Sequence, residues 1–309
     1  MYRSVLVPLD GSVFAEHALP VALGIARRSE GTLTIARAHV TPFSPVEDLG
    51  GLVDRAARDE EQAYLKEVTK RLADATAVAV RSALLEIPVA DSLCEYAKSA
   101  GADLMVMTTH GRGPMARAWL GSVADELVRK APIPILLTRP QEQGPSLDQA
   151  PVFRRVVIPL DGSSFAEQAL NPALALGSLT EAEYVLVRVI EPMIRGGHME
   201  TLLTSPPSEP GIVRRLELLH EEEKATAGAY LEKIAQQLKS QGHRAETRVI
   251  VNEQAAIALL DVAKEVRADA IALCTHGRRG LSRLFLGSVA DKILRGASVP
   301  MLVQRPAAT

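Results

Sequence analysis

A chain of 309 residues, 47% of them hydrophobic, can bury two ordinary cores without disulfides or metals to staple them. Its 35 basic and 37 acidic residues are interspersed and leave a formal charge of −2, so there is no electrostatic footprint for nucleic acid, and aromatics at 4% offer little for stacking unpaired bases. Two cysteines, Cys94 and Cys274, exclude a disulfide framework and a Cys-rich zinc site, and they read as small buried hydrophobes in a reducing compartment.

The first segment, MYRSVLVPLDGS, breaks its short apolar run at Pro8 and Asp10, so it reads as a first strand rather than a signal peptide. Apolar runs rich in Val, Ile and Leu then predict strands near 4–9, 32–40, 77–85, 103–108 and 133–138. Helical periodicity between them predicts helices near 13–28, 52–74, 90–99 and 121–130. The pattern then repeats: SVLVPLDGSVFAEHAL at 4–19 matches RVVIPLDGSSFAEQAL at 155–170, an offset of 151 from Asp10 to Asp161. THGRGPMARAWLGSVADELVRKAPIPILLTRP matches THGRRGLSRLFLGSVADKILRGASVPMLVQRP at an offset of 166 from Gly111 to Gly277, so fifteen additional residues lie inside the second copy. PQEQGPSLDQAP at 140–151 is polar and aperiodic, which predicts domains over 1–140 and 153–309 around a linker at 141–152. Strands of the second copy fall near 154–160, 183–190, 244–250, 269–274 and 299–304, with the added residues in a Gly/Pro-rich loop at about 192–211 before a helix over about 212–240. Cap chemistry is read at Ser164 with Glu167 and at Ser122 with Asp125. Strands alternating with helices make the fold class α/β, two tandem doubly wound domains. No run approaches the about 18 apolar residues of a membrane span, so the expectation is a soluble cytoplasmic protein.

The sharpest chemical signal is Thr-His-Gly, nine residues, then Gly-Ser, present as Gly111 to Gly121-Ser122 and as Gly277 to Gly287-Ser288. A glycine beyond a strand's carboxyl end lets backbone approach a ligand, and Gly-Ser at a helix start presents free amides, so the pair reads as an anion site. Arg112, and Arg278 with Arg279, add charge-assisted donors for phosphate. Asp10 and Asp161 end the first strand of each copy, where an open α/β sheet places its ligand crevice, although Asp-Gly is also a strong turn dipeptide. His110 and His276 adjoin the phosphate glycine and read as structural histidines before acid–base groups. No Gly-x-Ser-x-Gly elbow, Gly-Lys-[Ser/Thr] loop or His-Glu-x-x-His occurs, so dedicated hydrolytic or phosphoryl-transfer machinery is not visible.

With PLDGS, THGR and LGSVAD all present twice, the chain resembles the universal stress protein family, specifically its tandem members. The resemblance implies Rossmann-like domains of the adenine nucleotide α-hydrolase type, each a five-stranded parallel sheet of order 3-2-1-4-5. It implies ATP as ligand, with Mg²⁺ or Mn²⁺ bridging phosphates, and a stress-response regulator that works through binding. Its phosphate signature begins with a glycine where Thr108 and Cys274 stand here. By the same resemblance Asp10 and Asp161 lie against the nucleoside, and the backbone of Val40 and Val189 faces adenine. The candidate site is therefore Pro8, Asp10, Val40, Thr108, His110, Gly111, Arg112, Gly113, Gly121, Ser122 and Val123, and in the second copy Pro159, Asp161, Val189, Cys274, His276, Gly277, Arg278, Arg279, Gly280, Gly287, Ser288 and Val289. Pro114 stands where the second copy has Gly280, so the second site is expected to be the better preserved. A slow ATPase, an interaction module without nucleotide, and a cyclic adenylate ligand remain as alternatives. The last strands, PIPILLT and SVPMLVQ, are expected to pair the two domains within the chain, and a homodimer of chains stays open.

Overall fold

The structure, a computed structural model, describes residues 1–41, 43, 49–109, 120–140, 144–147, 150–193, 210–275 and 287–305. In the first half, β1 (Ser4–Pro8), α1 (Val13–Glu16), α2 (Ala18–Ser29), β2 (Thr32–Ala38), α3 (Gly50–Ala75), β3 (Ala79–Leu85), α4 (Val89–Ser99), β4 (Leu104–Thr108), α5 (Ser122–Lys130) and β5 (Ile135–Thr138) follow one another. The second half repeats the series as β6 (Arg155–Pro159), α6 (Ser164–Glu167), α7 (Leu170–Gly177), β7 (Glu183–Ile190), α8 (Pro210–Ser240), β8 (Arg244–Val251), α9 (Ala255–Glu265), β9 (Ala270–Cys274), α10 (Ser288–Gly296) and β10 (Met301–Gln304).

All ten strands form one sheet in the order β3-β2-β1-β4-β5-β10-β9-β6-β7-β8. Pairing is parallel within each half, as helical crossovers require, and antiparallel only at the seam, where Met301, Leu302 and Val303 face Leu137, Leu136 and Ile135. Strand positions alternate between two apolar layers. Val5, Val7, Leu33, Ile35, Leu104 and Val106 pack with α2 and α3 on one face, while Leu6, Ala36, Met105 and Met107 pack with α4 and α5 on the other. Burying a leucine such as Leu6 or Leu104 contributes about 2 kcal/mol, which is why the inner strands read as nearly continuous apolar runs. The Asp103 carboxylate accepts from the amides of Arg3 and Ser4 at 2.7 and 3.0 Å, and Asp269 accepts from Arg154 and Arg155 at 2.8 and 2.9 Å. Each thereby fastens the start of a first strand.

The strands lie within two residues of their sequence expectations, and four local readings are corrected. The helix expected over 13–28 is two helices that meet at His17, whose Nδ1 lies 2.9 Å from the Val13 carbonyl. Ser163, not Ser164, caps α6, accepting from the Ala166 amide at 3.2 Å. Ser122 is likewise the first helical residue of α5, with Gly121 in the cap position and no side-chain cap, while Asp125 turns away to Arg129 at 2.8 and 3.1 Å. The long helix α8 begins at Pro210, where proline's missing amide costs no hydrogen bond.

Candidate functional site

At the carboxyl ends of β1, β2 and β4, on the face covered by α4 and α5, the first half contains a cavity of about 370 Å³. Its floor is apolar: Ala36 and Ala38 from β2, Met107 from β4, Val89 and Leu93 from α4, and Ala124 from α5. Polar groups converge at the mouth from Asp10, Thr108, Thr109 and Ser122. Small residues on β2 create the space, since two alanines in succession on one face leave a slot where larger side chains would pack.

Each wall has a local cause. Gly11 takes φ +83°, which turns the chain sharply after β1 and lets the Asp10 Oδ1 accept from the Ser12 amide at 2.9 Å. Ser12 then accepts from the Ala15 amide at 3.2 Å and starts α1. The turn dipeptide and the site carboxylate are thus one feature. The second half reproduces it with Gly162 at φ +88° and Asp161 Oδ1 accepting from the Ser163 amide at 2.9 Å. Across the cavity, the Gly121 amide donates to the Thr109 carbonyl at 2.8 Å, which brings the start of α5 against the end of β4. The first-turn amides of α5 carry no side-chain cap, so the positive end of the helix dipole faces the mouth.

Of the residues expected from sequence, Pro8, Asp10, Thr108, Gly121, Ser122 and Val123 line this cavity together. Val40 does not: it lies two residues beyond β2, is 55% exposed, and the β2 position on the cavity wall is Ala38. Sheet register shows why, because Pro8 opposite Ala36 corresponds to Pro159 opposite Val187, which makes Val189 the counterpart of Ala38 and not of Val40. Pro159, Asp161, Val189 and Cys274 lie at or just beyond the ends of β6, β7 and β9, and Gly287, Ser288 and Val289 form the start of α10, again with glycine at the cap position and no side-chain cap. His110, Gly111, Arg112 and Gly113, with His276, Gly277, Arg278, Arg279 and Gly280, lie outside the described residues, as does Pro114, on which the comparison of the two sites rested. Val89 and Leu93 are wall residues that sequence reading missed. Their only signal is helical spacing on α4, which marks a buried face without saying what that face meets.

Behind the sheet the two halves share a second arrangement. The Tyr64 hydroxyl donates to Glu16 Oε1 at 3.0 Å with the Arg37 guanidinium 5.2 Å from its ring, and Tyr230 donates to Glu167 at 2.9 Å with Arg188 at 5.4 Å. Burial first, then the neighbouring carboxylates, hold both phenols well above the usual tyrosine range. Among the described residues a buried histidine joins in the first half: His39 stands between Asp54 and Glu61. Among the described residues no group of three His, Cys, Asp or Glu side chains is arranged to hold a metal ion, and no helix is long and apolar enough to cross a membrane.

A family model described as the universal stress protein family matches residues 1–139 and again residues 153–305. The chain belongs to the universal stress protein family. A universal stress protein of Mycolicibacterium smegmatis is 25% identical over 98% of this chain and 97% of its own length, and one of Mycobacterium bovis is 29% identical over 93% and 94%. A universal stress protein of Methanocaldococcus jannaschii is 32% identical over 142 residues, 45% of this chain and 83% of its own. Among solved structures, a universal stress protein from Archaeoglobus fulgidus superposes with a TM-score of 0.67 at 16% identity, covering 98% of this chain and 96% of that one. At that identity the likeness speaks for the tandem α/β fold alone.

Proposed function

We propose that the first-half cavity holds the base and ribose of an adenine nucleotide, ATP in the first instance, and that the chain is a regulator acting through occupancy rather than turnover. One observation carries this reading: a flat apolar floor of Ala36, Ala38, Val89 and Met107 faces a mouth where the Asp10 carboxylate and the uncapped first turn of α5 converge. A purine suits the floor, ribose hydroxyls donate to the carboxylate, and phosphates lie against the helix amides, with Gly111, Arg112 and Gly113 proposed as further donors from the sequence motif. Asp161, Cys274, Gly287 and Ser288 form the corresponding second site by the same logic, with each half, 1–140 and 153–309, an independent copy around the linker. A Mg²⁺ or Mn²⁺ ion would enter as the companion of the nucleotide phosphates. Binding, with at most slow hydrolysis, is the activity proposed for the site.

The experiment is to denature freshly purified protein, identify released nucleotide by mass spectrometry and count it per chain. ATP at one or two equivalents supports the reading. An empty protein that also gives no thermal shift with ATP removes it in favour of an interaction module, for which the Thr108 side chain at the first signature glycine would be the reason.

A further inference from the structure

We propose that the first half carries a protonation-dependent clasp, His39 held between Asp54 and Glu61, which fixes α3 against the strand end that walls the cavity and ties ligand binding in this half to pH. The ligand part of this inference rests on the nucleotide reading above; the clasp does not.

Side chains on β2 alternate. Ala36 and Ala38 face the cavity, so Arg37 and His39 face α3. His39 is 1% exposed, its Nδ1 is 2.7 Å from Glu61 Oε2 and its Nε2 is 2.9 Å from Asp54 Oδ1. A neutral imidazole has one N–H and satisfies one carboxylate, leaving a lone pair aimed at the other. Both contacts together call for the imidazolium. The surrounding charges agree among the described residues. From α3 come Asp54, Arg58 and Glu61; from β2 comes Arg37, 3.6 Å from Glu61; and from beyond β3 comes Glu86, paired with Arg58 at 2.7 and 3.1 Å. With His39 charged, three cations meet three anions. Without its proton the cluster, buried at His39 and Glu61 and open to solvent at Glu86, is left net negative.

The Asp54 contact, foremost, raises His39 above the ordinary histidine range, and His39 in turn holds Asp54 down to about 2. The clasp is therefore complete below the unfolded histidine value and is lost as pH rises through the raised folded one. The main chain carries the effect to the cavity: the His39 amide donates to the Leu85 carbonyl at 2.7 Å, and its neighbour Ala38 is a wall residue.

The second half provides the contrast. Tyr64, Leu65, Val68 and Leu72 of α3 correspond to Tyr230, Leu231, Ile234 and Leu238 of α8, which places Ala227 at the position of Glu61, while sheet register places Ile190 at that of His39. Both are buried and apolar, so the His39–Glu61 pair has no counterpart on α8, where His220 stands at the position of Asp54.

The test is hydrogen exchange of α3 amides over residues 50–61, divided by that of α9 over 255–265, a helix without histidine in the same molecule, which cancels the intrinsic pH dependence, from about pH 6 to about pH 9. In the wild type the ratio rises about tenfold as His39 titrates, the loss of one charge-assisted hydrogen bond. In His39→Ile/Glu61→Ala, which transplants the pair the second half already buries, it stays flat. Imidazole nitrogen NMR needs no variant: both His39 nitrogens carry protons at about pH 7. A neutral His39 there, or a flat wild-type ratio, overturns the clasp. ATP affinity over the same range falls in the wild type and not in the variant. Affinity independent of pH while the ratio titrates overturns the link to the cavity. No ATP binding at any pH removes the nucleotide reading and the regulation with it, while the exchange ratio still decides the clasp.

Discussion

The guanidinium of Arg37 occupies the space where a side chain on Gly11 would begin. A Cβ built on Gly11 lies 2.5 Å from Arg37 Nη1, and one built on Gly162 lies 3.1 Å from Arg188 Nη1. Both glycines also hold positive φ, so conformation fixes each, while the space is held by the movable end of an arginine. Gly11→Ala is expected to cost about 2–3 kcal/mol in chemical denaturation, and Gly162→Ala about 1 kcal/mol less, because its neighbour needs to move only slightly. Equal losses would show that the shared φ sets the cost and that the guanidinium yields freely.

Two adjacent serines separate the capping registers of α6. Ser163→Ala removes the acceptor for the Ala166 amide and the donor to Asp161, and should cost about 1–2 kcal/mol. Ser164→Ala, at the first helical position, should change stability by less than about 0.5 kcal/mol. The comparison is made by urea melts of the two single variants, and a larger loss at Ser164 would return the cap to it.

Ala38 offers a way to close the cavity without touching a polar group. Ala38→Phe places a ring over the floor and should weaken ATP binding by at least about tenfold in calorimetric titration, with stability altered by about 1 kcal/mol or less because the residue is only part-buried. Unchanged affinity would place the ligand elsewhere.

The thiols make a prediction in pH. Burial pushes Cys274 up to about 11 and moves Cys94 in the same direction. At neutral pH the Cys274 thiolate is then about one part in ten thousand, and a disulfide reagent should modify neither cysteine at the rate of a free thiol until the protein is unfolded or the pH approaches the raised value. Rapid modification of folded protein near pH 7 would contradict the burial.

The duplicated anchors made the architecture legible, since strand-length apolar runs recur at fixed offset and a parallel sheet needs such runs. The cavity was legible only in part. Pro8, Asp10, Thr108, Gly121, Ser122 and Val123 stand at element ends that turn chemistry marks in sequence. Val40 lies two positions past the wall residue Ala38, a difference invisible in sequence because only pairing with a neighbour fixes register. Val89 and Leu93 reach the cavity by tertiary packing of α4, which has no local signature. His39 escaped notice for a related reason: its partners lie 15 and 22 residues away on α3, brought together by the fold.

The seam between β5 and β10 has an evolutionary reading as well as a mechanical one. Because it reverses strand direction, the carboxyl ends of the strands point one way in the first half and the opposite way in the second. Were this pairing formed by two separate identical chains, every substitution would appear on both sides of the twofold, and a buried ion cluster in one half would be imposed on the other. Tethering lifts that obligation. His39 could arise opposite Ile190, and an inherited symmetric pair could become a molecule with two unlike ends.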